Sequence, residues 1–343
     1  MIVELLKKED EKLWDEFVKQ NDDATFFHQI GWKQLVENVY RYRPFYLMAR
    51  DSGSGTISGI LPLFLIDSFV GGRRLISLPF SVLGGLCCVT KVAERMLIEK
   101  AVELSRELNV RYLELRQTKR SEGPFQTSER YVNFVLRLDS DPDEYFKMLR
   151  PDIRRCLRRA KENDLEIRID SGQIEDFYRI YSIGQRNFGT PVESFRWIEG
   201  LFDTFPENHL IATVSYRNRI ILAKIIRKYR DEVSPLLSYG LKEFRNLYAE
   251  HLLLWHLIEQ AYREGYRRFV FGRSIPSSGT FSFKIGWRAE PMQLYYQYYL
   301  HRARGVMDMS QEGRKRRMFA RIWRKMPLTI TNSVGPIIRR WYP

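Results

Sequence analysis

Two long amphipathic segments, each followed at once by a short β-like run, set the frame for what this chain can fold into. KVAERMLIEKAVELSRELN places Ala93, Leu97, Ala101, Leu104 and Leu108 on one helical face, with Asn109 as its stop. RYLELRQ follows as a strand. AEHLLLWHLIEQAYREG repeats the pattern, Gly265 ends it, and RRFVFG follows. What precedes each long helix is also alike. EDEKLWDEFVKQ and QIGWKQLVENVY read as a helix pair ahead of RPFYLMAR, TISGILPLFLI and RRLISLPF. IEDFYRIYSIGQRNFG and ESFRWIEGLF read as a helix pair ahead of HLIATVSY, RIILAKIIRKY and VSPLLSYG, the first two joined by Arg-Asn. The order helix, helix, antiparallel strands, long helix, strand therefore occurs twice. We expect an α/β (α+β) protein holding two copies of one unit, diverged beyond sequence identity.

The expected boundaries are 1–135 for the first domain, 136–300 for the second and 301–343 for a basic tail. YVNFVLRL opens the second domain as a strand, DPDEYFKMLRPDIRRCLRRAKEND reads as a helix bent at Pro151, and QLYYQYYL closes the domain as a strand. No Pro/Gly/Ser-rich linker separates the halves. In the tail, Met318, Phe319, Ile322, Trp323 and Met326 form one helical stripe, rimmed by Arg314, Lys315, Arg317, Arg321, Arg324 and Lys325.

Composition narrows the function classes. The 343 residues carry a formal charge of +14, which favours an anionic partner such as RNA, a phosphorylated sugar or an anionic membrane surface. The apolar run ISGILPLFLI falls far short of the roughly 18 residues a membrane span requires, and no targeting segment is evident. Cys87, Cys88 and Cys156 are an odd set with two neighbours adjacent, which reads as structural thiols in a reducing, cytoplasmic setting. The sequence lacks a Walker-type loop, a G-x-G-x-x-G turn, a G-x-S-x-G elbow and H-E-x-x-H. His251 and His256, five apart on a helix, do not share a face as metal ligands would, so no metal is expected.

The element order looks like the acetyltransferase fold of the GNAT superfamily. That fold marks its coenzyme A site with R-x-x-G-x-G/A at a helix start, where backbone N–H groups hold the pyrophosphate. The matching stretch here, LKEFRNLYAEHLLLW, has no glycine, and the glycines of FSVLGGLCCVTKVAERM lie too far from their helix. A tandem GNAT-like pair without that loop resembles the FemABX family, the aminoacyl transferases of peptidoglycan cross-bridge synthesis. Several stretches carry the resemblance in order: TFFHQIGWKQLVE, LISLPFSVLGGL, MLRPDIRRCLRRAKENDLEI, FYRIYSIGQRNFGTP and FVFGRSIPSSGTFSFKIGWRAEP. Within the family, the wording L-P-F…G-G and F-G-R-S…S-G-T-x-x-F-K-x-G-W is similar to the FemAB-like proteins of exosortase and exopolysaccharide loci. Two departures are Arg273, where the family has a small residue after Phe-Gly, and Gly84-Gly85 in place of Gly-Pro.

The resemblance implies aminolysis without a cofactor: an amine attacks the ester carbonyl of an aminoacyl-tRNA. The acceptor implied is a phosphorylated cell-envelope precursor, peptidoglycan or polysaccharide. Lys284 matches the family lysine beside the acceptor phosphates and the scissile bond, and is the expected catalytic residue, carried on a strand after the Ser277–Gly279 turn. Tyr239, Arg245, Tyr248, Arg186, Arg273, Trp287, His28 and Trp32 are the expected substrate-binding residues. The cluster Arg154, Arg155, Arg158 and Arg159 covers much of a helix face and could track RNA phosphates or be simply solvated. The basic 310–343 tail fits either an anionic membrane, which would place the protein at the inner face, or docking on the first domain. Two other readings stay open: an acyl-CoA-dependent N-acyltransferase of exopolysaccharide synthesis, and a non-catalytic RNA- or membrane-binding protein on the same fold.

Overall fold

The structure of the protein is a computed structural model that describes residues 1–68, 71–303 and 314–342. The chain divides into two compact units: 1–131 with 293–310 and 340–343, and 132–292 with 311–339.

Unit 1 begins with strand β1 (Ile2–Leu5) and helices α1 (Glu11–Gln20) and α2 (Ile30–Tyr40). Strands β2 (Arg43–Arg50), β3 (Ile57–Ile66), β4 (Arg74–Ser77) and the short β5 (Cys87–Cys88) follow. Helix α3 (Lys91–Glu107) crosses to β6 (Tyr112–Gln117) and β7 (Gln126–Ser128). Thr90 caps α3 by accepting from the Ala93 amide, and Asn109 at φ 52° turns the chain out of it. The buried face of α3, Ala93, Leu97, Ala101 and Leu104, packs on Leu47, Leu61, Leu63 and Leu113 of the sheet.

Unit 2 comprises β8 (Val132–Arg137), α4 (Pro142–Met148), α5 (Pro151–Lys161), β9 (Leu165–Asp170), α6 (Ile174–Phe188) and α7 (Phe195–Thr204). These lead into β10 (His209–Tyr216), β11 (Arg219–Tyr229) and β12 (Glu232–Gly240), a 3-10 run at Lys242–Leu247, and α8 (Ala249–Arg263). After β13 (Arg268–Ser274) come α9 (Gly279–Gly286) and β14 (Glu290–Gln293). The chain then returns β15 (Tyr295–Leu300) to unit 1 and ends with α10 (Arg314–Trp323) and α11 (Leu328–Arg339) in unit 2.

The two sheets have the same strand order along their main path, and unit 1 adds β5 beside β3. Unit 1 runs β1-β2-β3-β4-β6-β15-β7 and unit 2 runs β9-β10-β11-β12-β13-β8-β14. In each, the pair joined across the long helix is parallel, β4 with β6 and β12 with β13. The parallel register in unit 2 holds only at the strand starts, Glu232 with Arg268 and Val233 with Phe269. On its other edge β13 is laddered to β8 along its whole length, from Arg268 with Arg137 to Ser274 with Val132.

Four expectations are corrected. The chain from 279 to 286 is helix, not strand, because the Ser278 hydroxyl accepts from the Phe281 amide and caps it. Residues 142–161 form two helices rather than one bent helix, since Leu149 and Arg150 before Pro151 are extended, at ψ 148° and 145°. A strand, β1, precedes α1. Finally, the units differ from 1–135, 136–300 and 301–343: β8 opens unit 2 at Val132, β15 belongs to the sheet of unit 1, and 314–339 belongs to unit 2. The tail expectations for 304–313 lie outside the described residues, as do the side chains of Arg314 and Lys315. No helix among the described residues is long and apolar enough to cross a membrane.

The face of the unit 2 sheet under α6 is closely packed. A Cβ on Gly184 would lie 2.3 Å from the Tyr239 ring. Gly184→Ala is therefore expected to destabilise the protein by about 1–3 kcal/mol through overpacking, read as a lower denaturation midpoint.

Candidate active site

The centre of interest is the α9 segment. Its cap fixes the first turn, Phe281 packs edge-on against Phe134 at 5.1 Å, and Phe283 lies 6.1 Å from Trp287. This packing carries Lys284 inward until it is only 9% exposed. Its ammonium donates to the carbonyls of Gly272 at 2.8 Å and Arg273 at 3.0 Å, and stands 5.5 Å from the centre of the Phe134 ring. The acceptors lie at a β-bulge between Val270 and Gly272, where Gly272 adopts φ 80°, a left-handed conformation that glycine enters without strain. Burial, and then the nearby charge of Lys224, push the Lys284 amine down from 10.5 to about 8.

Lys224 is the residue that the sequence reading missed. It sits in the middle of β11, buried, with its ammonium 2.6 Å from the Glu250 carboxylate in the first turn of α8. An ion inside a sheet that otherwise packs Leu222 and Ile226 under α8 is costly unless paired, so the pair is a feature that requires explanation. The signal was present in the sequence as one lysine in the apolar run RIILAKII. His251, next to Glu250, has ring contacts with Tyr248, Phe283 and Trp287, and burial lowers its pKa. Its Nδ1, like the buried Ser274 hydroxyl at the end of β13, has no hydrogen-bond partner among the described residues.

The expected site residues separate into groups. Trp287 ends α9, is fully buried, and accepts at its carbonyl from the Tyr145 hydroxyl; it anchors the lysine rather than facing solvent. Arg273 is exposed and contributes its carbonyl to Lys284. Tyr248 stands at φ 58° immediately before α8, with its hydroxyl 3.3 Å from Arg159, and Arg245 is exposed in the preceding 3-10 run. Tyr239 is placed apart from these. It pairs with Ala223 whereas Lys224 pairs with Ser238, so Tyr239 points to the opposite face of the sheet, under α6. There its hydroxyl accepts from Asn187, in the same turn as Arg186, whose buried Nε has no partner among the described residues. His28 and Trp32 lie in unit 1. His28 bonds through Nε2 to the Gly85 carbonyl at 3.0 Å and lines a cavity of about 210 Å³ with Gly84, Gly85 and Arg116. Trp32 is buried and donates to the Pro79 carbonyl.

Among the described residues no His, Cys, Asp and Glu group could hold a metal ion. The cysteines are free, and burial pushes the Cys88 thiol up to about 12, which makes it a poor nucleophile.

Two sheets of like strand order, each with a parallel pair joined across a long helix, define the class of fold: tandem GNAT-like. Residues 147–285 match the family model described as an acetyltransferase (GNAT) domain, a span that includes Lys284. The chain is similar in fold to FemX, at 11% identity and TM-score 0.67 over 88% of this chain and 98% of FemX. It is also similar to a tandem GNAT protein from the clavulanic acid biosynthesis pathway, at 11% identity and TM-score 0.56 over 87% of this chain and 98% of that one. L-PGS from Bacillus licheniformis matches at 14% identity and TM-score 0.55 over 95% of this chain and all of that one (100%). At these identities the likeness is one of fold. No curated protein matches this chain in sequence.

Proposed function

We propose that the protein transfers an aminoacyl group from charged tRNA to an amine of a phosphorylated cell-envelope precursor. The observation that carries this reading is Lys284, a desolvated ammonium held at the bulge of β13 by two carbonyls. In the reaction the neutral amine attacks the ester carbonyl, the C–N bond forms, and the C–O bond to the ribose breaks. The amine gives up a proton and the leaving hydroxyl gains one. The Lys284 cation stabilises the oxyanion that develops between these steps, and the apolar rings around it strengthen its field by keeping water out.

The start of α8 favours an ester donor over a coenzyme A thioester. The pyrophosphate of coenzyme A would require free backbone amides and an anion-attracting helix end. Here the stretch leading into α8, LKEFRNLYAE, has no glycine to bring the backbone close to a pyrophosphate, and Tyr248 occupies the left-handed position, φ 58°, just before the helix. The first turn already carries the Glu250 carboxylate. The likeness to FemX and L-PGS supports an envelope-directed acceptor, and the charge of +14 supports two polyanionic ligands.

Calorimetry with charged tRNA and acetyl-CoA tests the donor. Affinity for tRNA is expected to fall tenfold or more as salt rises from about 50 to about 200 mM, as counterion release requires. Acetyl-CoA is expected to show no binding at micromolar concentration. Micromolar binding of acetyl-CoA, with tRNA binding indifferent to salt, would reverse the assignment in favour of an acyl-CoA donor.

A further inference from the structure

Helix α11 is packed inside out. Its buried residues are the small Thr331 and Gly335, and a Cβ on Gly335 would lie 3.1 Å from Val192. Its large apolar residues Ile330, Val334 and Ile337 recur at i, i+4 and i+7 and are exposed, Ile337 to 59%. Helix α10 shows the same division. Trp323 is buried and Ala320 lies against Gly189 at the end of α6, while Met318 and Ile322, on another face, are 61% and 52% exposed. The expected apolar stripe is thus split, one edge packed within unit 2 and the other left open. Basic side chains border the docked edge. Arg317, Arg321 and Arg324 line, with Ala320, a cavity of about 290 Å³ at the junction with Phe188, Gly189 and Thr190, where Arg324 donates to the Phe188 carbonyl, and Lys325 is exposed. From 314 to 343 the sequence has no Asp or Glu, so nothing in the segment offsets that charge.

We propose that residues 317–339 form a docking surface for an anionic lipid bilayer. Met318, Ile322, Ile330, Val334 and Ile337 would enter the acyl boundary, and the arginine-lined cavity would take lipid phosphates. Apolar side chains on short helices bordered by arginines are what an interfacial helix requires, and their charge selects anionic headgroups. A polynucleotide would use the arginines but has no use for five exposed aliphatic side chains. This inference does not depend on the proposed transfer reaction, since its readout is binding alone.

The test is flotation of the full chain with phosphatidylcholine vesicles, with and without about one third phosphatidylglycerol. Partitioning onto the anionic vesicles is expected to exceed that onto neutral ones by about tenfold or more. Ile330→Ser with Ile337→Ser, and separately Arg317→Gln with Arg321→Gln, are each expected to reduce anionic partitioning by about tenfold. The substituted side chains are exposed, so thermal unfolding should be unchanged, and this serves as the folding control. Equal partitioning onto both vesicle types, absence of flotation, or wild-type flotation of both variants would overturn the proposal. Binding of tRNA that is lost in the arginine variant alone, with no flotation, would overturn it in favour of a nucleic acid.

Discussion

Lys284→Met should yield a folded protein whose acyl transfer is reduced by about a hundredfold or more, the usual scale for removing one preorganised oxyanion donor. Methionine keeps the apolar stem against Phe134 and removes the charge. Single-turnover transfer to the acceptor amine measures the effect, and near-normal turnover in a folded variant would remove Lys284 from the chemistry. Stability should respond in a pH-dependent way that a surface lysine would not show. The amine is depressed to about 8 in the folded protein against 10.5 ordinarily. Between those values the unfolded chain binds more protons than the native one, so wild-type stability rises with pH through this window. Below pH 8 the buried charge opposes folding in full; above 10.5 its contribution vanishes. A shift of that size corresponds to about 3 kcal/mol. The carbonyls of Gly272 and Arg273 lose their donor in the variant, which costs about 1–3 kcal/mol at any pH. Denaturation at pH 7 should therefore find the variant as stable as wild type or more so, and by pH 9.5 the difference should have moved by about 2 kcal/mol in favour of wild type. A wild-type–variant difference that does not change with pH would mean that the amine titrates normally.

The fold was legible because its signals are periodic. The apolar faces of α3 and α8 and the Arg217–Asn218 turn, with φ 48° and 61°, each follow from local chemistry and together set the repeated order. The strand exchange was not legible. QLYYQYYL reads as a strand wherever it pairs, and nothing local indicates that Tyr295–Leu300 pairs with Tyr112–Gln117. Lys284 stood out as a lone lysine among aromatics, but FSFKIGW alternates apolar and polar residues and so imitated a strand. The Ser278 cap decided for helix, and the resulting turn buries the amine. The face chosen by a β residue depends on register. For this reason Tyr239 fell on the α6 side while Lys224, on the neighbouring strand, reached the α8 side.

Lys224→Met should shift the alkaline limb of transfer to higher pH. The Lys224 ammonium is the charged group that adds to burial in depressing Lys284, so its removal should bring the Lys284 amine back toward its ordinary value. If the protonated lysine is the working form, wild-type activity falls as pH rises through about 8, and the variant retains severalfold more of its pH 7 activity at pH 9. Glu250→Gln should act in the opposite sense: it removes the negative partner of Lys224, leaves that cation less compensated, and moves the limb to lower pH. His251 faces the same rings but does not interfere in this range, because burial lowers its pKa and keeps it neutral. Folding should tolerate Lys224→Met, since methionine fills a similar volume and the Glu250 side chain, 41% exposed, stays hydrated without its partner. The cost should thus fall below the roughly 3–5 kcal/mol of breaking a fully buried pair. A purely structural role for the pair would lower activity equally at every pH in both variants. Opposite displacements of one limb require that Lys224 and Glu250 act through the charge of Lys284.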